Sequence, residues 1–231
     1  MKIAIVHDYL NEYGGAERVL EALSEIWPEA PIYTAFKVPG SSAAKAFANR
    51  KVITSWFGYL PFYKQLYSPL RFLIPWIWGS FDLSSYDLVI TSASWYITKG
   101  LHKNEICYCH TPPRWLYGYE TSINLQKYWP VRLYEIVVGH FLRIYDFNQA
   151  QKVKLFLANS ENVANRIRKF YRKESIVVYP PVEVKTVKAV KKDYYLIVSR
   201  LVGAKGIEMA VEASKKYGFK LKIAGEKAKF S

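Results

Sequence analysis

Apolar and polar positions along this chain follow two alternating rhythms. Short unbroken runs of aliphatic and β-branched residues mark buried strands. Between them, apolar residues return every three or four positions, as on one face of a helix. Residues 2–7 read as a first strand. Ala16, Val19, Leu20, Leu23 and Ile26/Trp27 then recur at helical spacing. Further strands are predicted at 31–36, 51–57, 84–92, 105–110, 153–158 and 175–179, the last stopped by Pro180 and Pro181. A long helix is predicted over about 128–151, with Leu133, Ile136, Val137, Phe141, Leu142 and Tyr145 on its apolar side. Ser160 stands where an N-cap belongs, ahead of a helix bearing Val163, Ile167 and Phe170.

This strand–helix alternation predicts an α/β fold, a Rossmann-like doubly wound parallel sheet over residues 1–181. Residues 182–193, EVKTVKAVKKD after Val182, are polar and basic without a core face and read as a linker. A new βαβ unit follows in 194–231: strand 194–198, helix 207–217, strand 220–224. One such unit cannot bury its own sheet, so the expectation is the incomplete start of a second Rossmann-like domain.

Composition narrows the class. The 231 residues are 51% hydrophobic and 16% aromatic, ample for a core. Cys107 and Cys109 lie two apart on one strand face, too few for a disulfide framework, and no metal-ligand set accompanies them. A cytoplasmic setting is therefore expected. No run approaches the ~18 apolar residues of a membrane span. His7 and Asp8 break the first apolar run too early for a signal peptide. The net charge is +14; residues 1–98 carry 8 Lys/Arg against 8 Asp/Glu, so the remaining 25 and 11 lie in 99–231. Such an excess suits a phosphorylated small molecule, an anionic membrane or nucleic acid, or only a solvated surface.

Gly14 and Gly15 fall where the first strand gives way to the first helix. Glycine there permits positive φ and close approach, and a helix N-terminus offers free N–H groups to a phosphate. A turn needing glycine for shape alone would give the same pair, and the full G-x-G-x-x-G spacing is absent. Arg200 and Lys205, in SRLVGAKG between a strand and a helix, form a second place suited to a diphosphate, since guanidinium and ammonium groups grip phosphate oxygens. His110 ends a strand before Thr111-Pro112-Pro113, at the carboxyl edge where open α/β sheets place ligands.

The blocks YGGAERVLEAL, NSENVANRIRKFY, VVYPPV and YYLIVSRLVGAKGIEMAVEA resemble family 4 of the retaining glycosyltransferases, of the two-domain GT-B class. The block YDLVITSASWYITKGLHKNEICYCHTPPRWLYGY is similar to the mannosyltransferase-like subgroup that builds polysaccharides. The resemblance implies transfer of a hexose, mannose among the candidates, from a nucleotide-diphosphate sugar to a glycan or lipid-linked acceptor with retention. It implies no cofactor and no metal. It places His110 beside the transferred sugar, and Gly14, Gly15, Arg200 and Lys205 at the donor diphosphate. His7, Asp8, Arg114 and Tyr117 become acceptor-side candidates. The family's pair of glutamates eight positions apart has no counterpart in this sequence, and Glu226 does not replace it. These 231 residues alone are therefore expected to be inactive.

The stretch SWFGYLPFYKQLYSPLRFLIPWIWGSF, residues 55–81, interleaves aromatics with Lys64 and Arg71. It suits either a membrane interface or a buried insertion packed on the sheet. The other readings are an epimerase of the same two-domain class, opposed by HTPPRWLYG and the linker position, and a non-catalytic module binding glycan or membrane. Self-association through the incomplete second domain is a further expectation. No nucleic-acid motif is present.

Overall fold

The computed structural model describes residues 1–119, 129–182, 184, 192–199, 201 and 205–225. The chain divides into two compact units. One joins Met1–Tyr117 with Ile136–Val182, and the other joins Gly118–Glu135 with Glu183–Ser231.

The first unit is built on a seven-stranded parallel sheet: β1 (Ile3–His7), β2 (Ile32–Thr34), β3 (Val52–Thr54), β4 (Leu88–Ala93), β5 (Glu105–Cys109), β6 (Leu155–Ala158) and β7 (Ser175–Val177). Spatial order is β3-β2-β1-β4-β5-β6-β7. This is the Rossmann-like arrangement expected from the alternation. All five side chains of β1 are buried, as a strand covered on both faces requires.

Helix α1 (Gly15–Ile26) buries Val19, Leu20 and Ser24, and the Ser24 hydroxyl donates back to the Leu20 carbonyl at 2.8 Å. Three short helices, α2 (Ser42–Ala46), α3 (Tyr63–Leu66) and α4 (Ile74–Gly79), precede β4. The long helix α5 (Trp129–Lys152) crosses from β5 to β6, and α6 (Glu161–Tyr171) follows. Ser160 caps α6 as anticipated, its hydroxyl accepting from the Val163 N–H at 3.3 Å.

Two expectations need correction. The inward stripe of α5 is Gly139, Leu142, Asp146, Gln149 and Ala150, whereas Leu133, Ile136, Val137 and Phe141 are exposed. The stripe contains an aspartate because Asp146 meets the buried Lys99 ammonium and the Tyr117 hydroxyl. Hydrophobic periodicity cannot foresee a polar residue whose partners come from distant elements. The aromatic stretch 55–81, read as either a membrane interface or a buried insertion, is buried only in part. Phe57, Ile74, Ile77 and Trp78 are buried in the cluster over β1, β2 and β4. Trp56, Tyr59, Phe62, Phe72 and Trp76 remain exposed.

One glycine is fixed by its surroundings. Gly100 has φ +70°, and a Cβ there would lie 2.4 Å from the Gln149 carbonyl oxygen of α5. This close approach lets the loop after β4 close over buried Glu105, whose carboxylate accepts from the Gly100 N–H (2.9 Å), the Leu101 N–H (2.6 Å) and the Thr91 hydroxyl (2.9 Å).

The second unit carries a βαβ element: β8 (Tyr195–Val198), α7 (Ile207–Tyr217) and β9 (Leu221–Ala224), the two strands parallel. Tyr195, Leu196, Val198 and Ile223 are exposed.

Candidate functional site

The strand order places a switch point between β1 and β4. From β1 the chain winds outward through β2 and β3, then returns to β4 and winds the other way to β7. Connections therefore diverge above the carboxyl ends of β1 and β4 and leave a crevice, the usual ligand position in open α/β sheets. Three polar side chains meet there: His7 closing β1, Ser92 in β4 paired with His7 across the ladder, and His110 just after β5. The His110 N–H donates to the Ala93 carbonyl at 2.8 Å, and Asn159, past β6, donates to the His110 carbonyl at 3.0 Å.

These side chains form a continuous hydrogen-bonded line. His110 Nε2 lies 2.9 Å from Ser92 Oγ, which lies 3.0 Å from His7 Nδ1. His7 Nε2 lies 3.4 Å from Glu17 Oε1 in the first turn of α1. The other Glu17 oxygen accepts from the Gly14 N–H at 2.8 Å and so caps the helix. Burial pushes the Glu17 carboxyl up, but the hydrogen bonds from His7 and Gly14 outweigh it, so its pKa lies below the ordinary value. Burial, reinforced by His7, lowers His110 to about 3 against the opposing pull of Glu17. His110 is thus neutral at physiological pH.

The strand-to-helix turn differs in detail from its sequence reading. Neither Gly14 nor Gly15 has positive φ, and Gly14 is extended at φ −120°. Neither residue therefore uses the positive φ that glycine permits. The Gly14 N–H is occupied by Glu17. Gly15 heads α1, its N–H bonds to no described residue, and a Cβ placed there would meet nothing within 4 Å. Of the pair, Gly15 offers both the free donor and the open space.

The acceptor-side candidates separate. His7 is 1% exposed with both ring nitrogens engaged, so it acts within the line of side chains and does not face a ligand. Asp8 is 2% exposed, and its carboxylate is taken by residues 94–98. It accepts from the Ser94 N–H at 2.9 Å, the Ser94 hydroxyl at 2.7 Å, the Trp95 N–H and the Thr98 hydroxyl. It clamps the segment after β4, and no oxygen is left over for an acceptor. Tyr117 turns its hydroxyl inward to Asp146 at 2.6 Å, and its ring stacks on Phe170 with centroids 4.1 Å apart. Burial, with the Asp146 charge, raises its pKa far above the ordinary tyrosine value. Arg114 is exposed; its carbonyl accepts from the Tyr117 N–H at 3.2 Å, and its side chain hydrogen-bonds to no described residue. Lys205, in the second unit, is exposed and directly precedes Gly206, which caps α7 at φ +64°. Arg200 lies outside the described residues.

Sequence reasoning missed Glu17, Ser92 and Asn159. Glu17 was within reach, being the N3 residue behind a glycine N-cap. Ser92 faces His7 only because β1 and β4 pair in one register, which no local pattern discloses. Among the described residues no group of three or more His, Cys, Asp or Glu is placed to hold a metal ion. No helix among them is long and apolar enough to cross a membrane.

No protein-family model matches the chain, and no curated protein matches it. Solved structures do. One is Anabaena Alr3699/HepE in complex with UDP, at TM-score 0.61 and 12% identity, covering 99% of this chain and 62% of that one. Another is the same protein in complex with UDP and glucose, at TM-score 0.58 and 14% identity, covering 96% and 60%. The likeness establishes a shared fold, and this chain spans about three fifths of the length of the structures it matches.

Proposed function

We propose that this chain is the first domain, with the start of the second, of a nucleotide-sugar glycosyltransferase. The observation that carries the reading is the open strand-to-helix turn at Gly15, set at the switch-point crevice that also holds neutral His110. Two further things support it. The fold is shared with a protein solved with UDP and with UDP and glucose, the component parts of a nucleotide sugar. The sequence blocks resemble retaining family 4 enzymes.

In this reading the N-terminal amides of α1, Gly15 first, receive diphosphate oxygens, helped by the positive end of the helix dipole. His110 contacts the transferred hexose, and Arg114 remains available on the acceptor side. Arg200 and Lys205 are assigned to the donor diphosphate on sequence grounds. Departure of the nucleoside diphosphate leaves positive charge at the sugar's anomeric carbon and negative charge on the phosphates, which these donors are suited to stabilise. Retention, a mannosyl donor, a glycan or lipid-linked acceptor and a cytoplasmic location complete the proposal. The exposed aromatics of 55–81 favour docking on an anionic membrane surface, where lipid-linked acceptors reside. The exposed strands of the second unit leave self-association as a further proposed contact.

The test is product formation, from a panel of nucleotide sugars and lipid-linked acceptors, by the protein joined to a complete second domain, since the 231 residues alone are expected to be inactive. Transfer from at least one donor is expected; failure with every donor under conditions where the protein is folded would overturn the reading.

A further inference from the structure

The line from His110 to Glu17 has a direction, and the direction follows from counting protons. The Glu17 carboxylate is ionised and can only accept, so His7 must present N–H at Nε2. With a single proton on its ring, His7 holds a lone pair at Nδ1 and accepts there from the Ser92 hydroxyl 3.0 Å away. Ser92 has then used its single proton. Toward His110 it can only accept, and the 2.9 Å contact requires N–H at His110 Nε2. His110 is neutral, so Nδ1 keeps its lone pair. No described residue hydrogen-bonds to Nδ1.

The geometry points to Glu17, His7 and Ser92 as positioning residues that fix His110 in the Nε2–H form, so that Nδ1 meets the bound ligand as a hydrogen-bond acceptor. The inference rests on the proposed function only in naming the ligand group, a hydroxyl of the donor sugar. It assigns His110 a definite chemistry. With a fixed lone pair at Nδ1 it accepts from a hydroxyl and orients the ring that bears it. It does not donate there, and it does not act as a general acid toward the leaving diphosphate. The burial that keeps His110 from taking a second proton leaves one ring nitrogen as an acceptor, and the line of side chains decides which. Ser92, 0% exposed, has no route to a ligand and works only through the two histidines.

The experiment is ¹⁵N NMR of the histidine rings at pH 8, above the ordinary imidazole range, in the parent protein and in Ser92→Ala and Ser92→Thr. In the parent, His110 is expected to show a protonated Nε2 and an unprotonated Nδ1. Ser92→Ala, which removes the only constraint on Nε2, should give a mixture of tautomers, and Ser92→Thr, which keeps the hydroxyl, should restore one. A parent His110 protonated at Nδ1, or already mixed, overturns the inference, as does an unchanged spectrum in Ser92→Ala. If Ser92→Ala does not fold, the parent spectrum alone decides. These spectra need no substrate, so an absence of glycosyl transfer by the enzyme completed with its second domain would count against the proposed function while leaving the tautomer result to stand or fall separately. Where transfer is found, kcat should fall in Ser92→Ala in step with the mixed tautomer and recover in Ser92→Thr.

Discussion

Lys99 and Asp146 form an ion pair with no more than 2% of either side chain exposed. Lys99 enters from the segment after β4 and Asp146 from the inward stripe of α5, so the pair ties the long helix to the sheet. Burial alone would push the Lys99 ammonium down, but Asp146 outweighs it and the net shift is upward. The Tyr117 hydroxyl takes the second aspartate oxygen, and the ammonium lies 4.7 Å from the Tyr171 ring centroid.

Removing one member strands the other charge. Asp146→Ala is expected to cost about 3–5 kcal/mol in urea or guanidinium unfolding, and Lys99→Met/Asp146→Leu to recover most of that. A loss under ~1 kcal/mol in the single variant would show the pair to be solvated.

Acid should destabilise the first unit through His110. An unfolded histidine takes up a proton near the ordinary value of 6.5, while the folded one resists until about 3. Between those values the unfolded state binds more protons, so stability is fully present above about 6.5 and declines as pH falls toward 3. Stability measured against pH in His110→Phe should lose that part of the slope. An identical slope in both proteins would refute the depressed value.

Turnover should depend on His110 more than donor binding does. On the proposed reading, in the enzyme completed with its second domain, His110→Ala deletes one hydrogen bond to a sugar hydroxyl, worth roughly 1–3 kcal/mol when the partner is stranded. The expected loss in kcat is about tenfold to a hundredfold, with nucleoside-diphosphate affinity nearly kept. Steady-state kinetics beside calorimetric titration would separate the two, and unchanged turnover would return His110 to a structural role.

The exposed aromatics make a separate prediction. Trp56, Leu73 and Trp76 line a shallow groove of about 490 Å3, with Tyr59 and Phe62 also exposed on this stretch. The protein should float with anionic vesicles, and Tyr59→Asp/Phe62→Asp/Trp76→Asp should largely abolish flotation while leaving unfolding stability within ~1 kcal/mol, since all three side chains are already in water. Flotation unaffected by the triple change would place membrane contact elsewhere.

Much of the architecture was legible because it is written locally. Apolar runs marked each strand of the first sheet, Ser160 marked the start of α6, and the carboxyl edge could be named before its geometry was known. What escaped is set by long-range pairing. Asp146 breaks the apolar stripe of α5 because its partners arrive from the loop after β4 and from Tyr117. Asp8 looked like a ligand-facing carboxylate, but the fold folds residues 94–98 onto it. Ser92 became part of the site only through the register of β1 on β4. Glycine at 14 and 15 was rightly noticed for its place, yet the backbone there is ordinary and the space beside Gly15 is what sets it apart.

That space is where the account is most exposed to test. Gly15 has ordinary φ and nothing within 4 Å of a would-be Cβ, so Gly15→Val should fold and α1 should tolerate it. The measurement is calorimetric titration of the protein and of Gly15→Val with a panel of nucleoside diphosphates. The account predicts binding of at least one by the parent and a loss of about tenfold or more in the variant, because each charge-assisted bond to phosphate contributes roughly 1.5–3 kcal/mol and the valine blocks the approach. A folded Gly15→Val that binds as the parent does would contradict it.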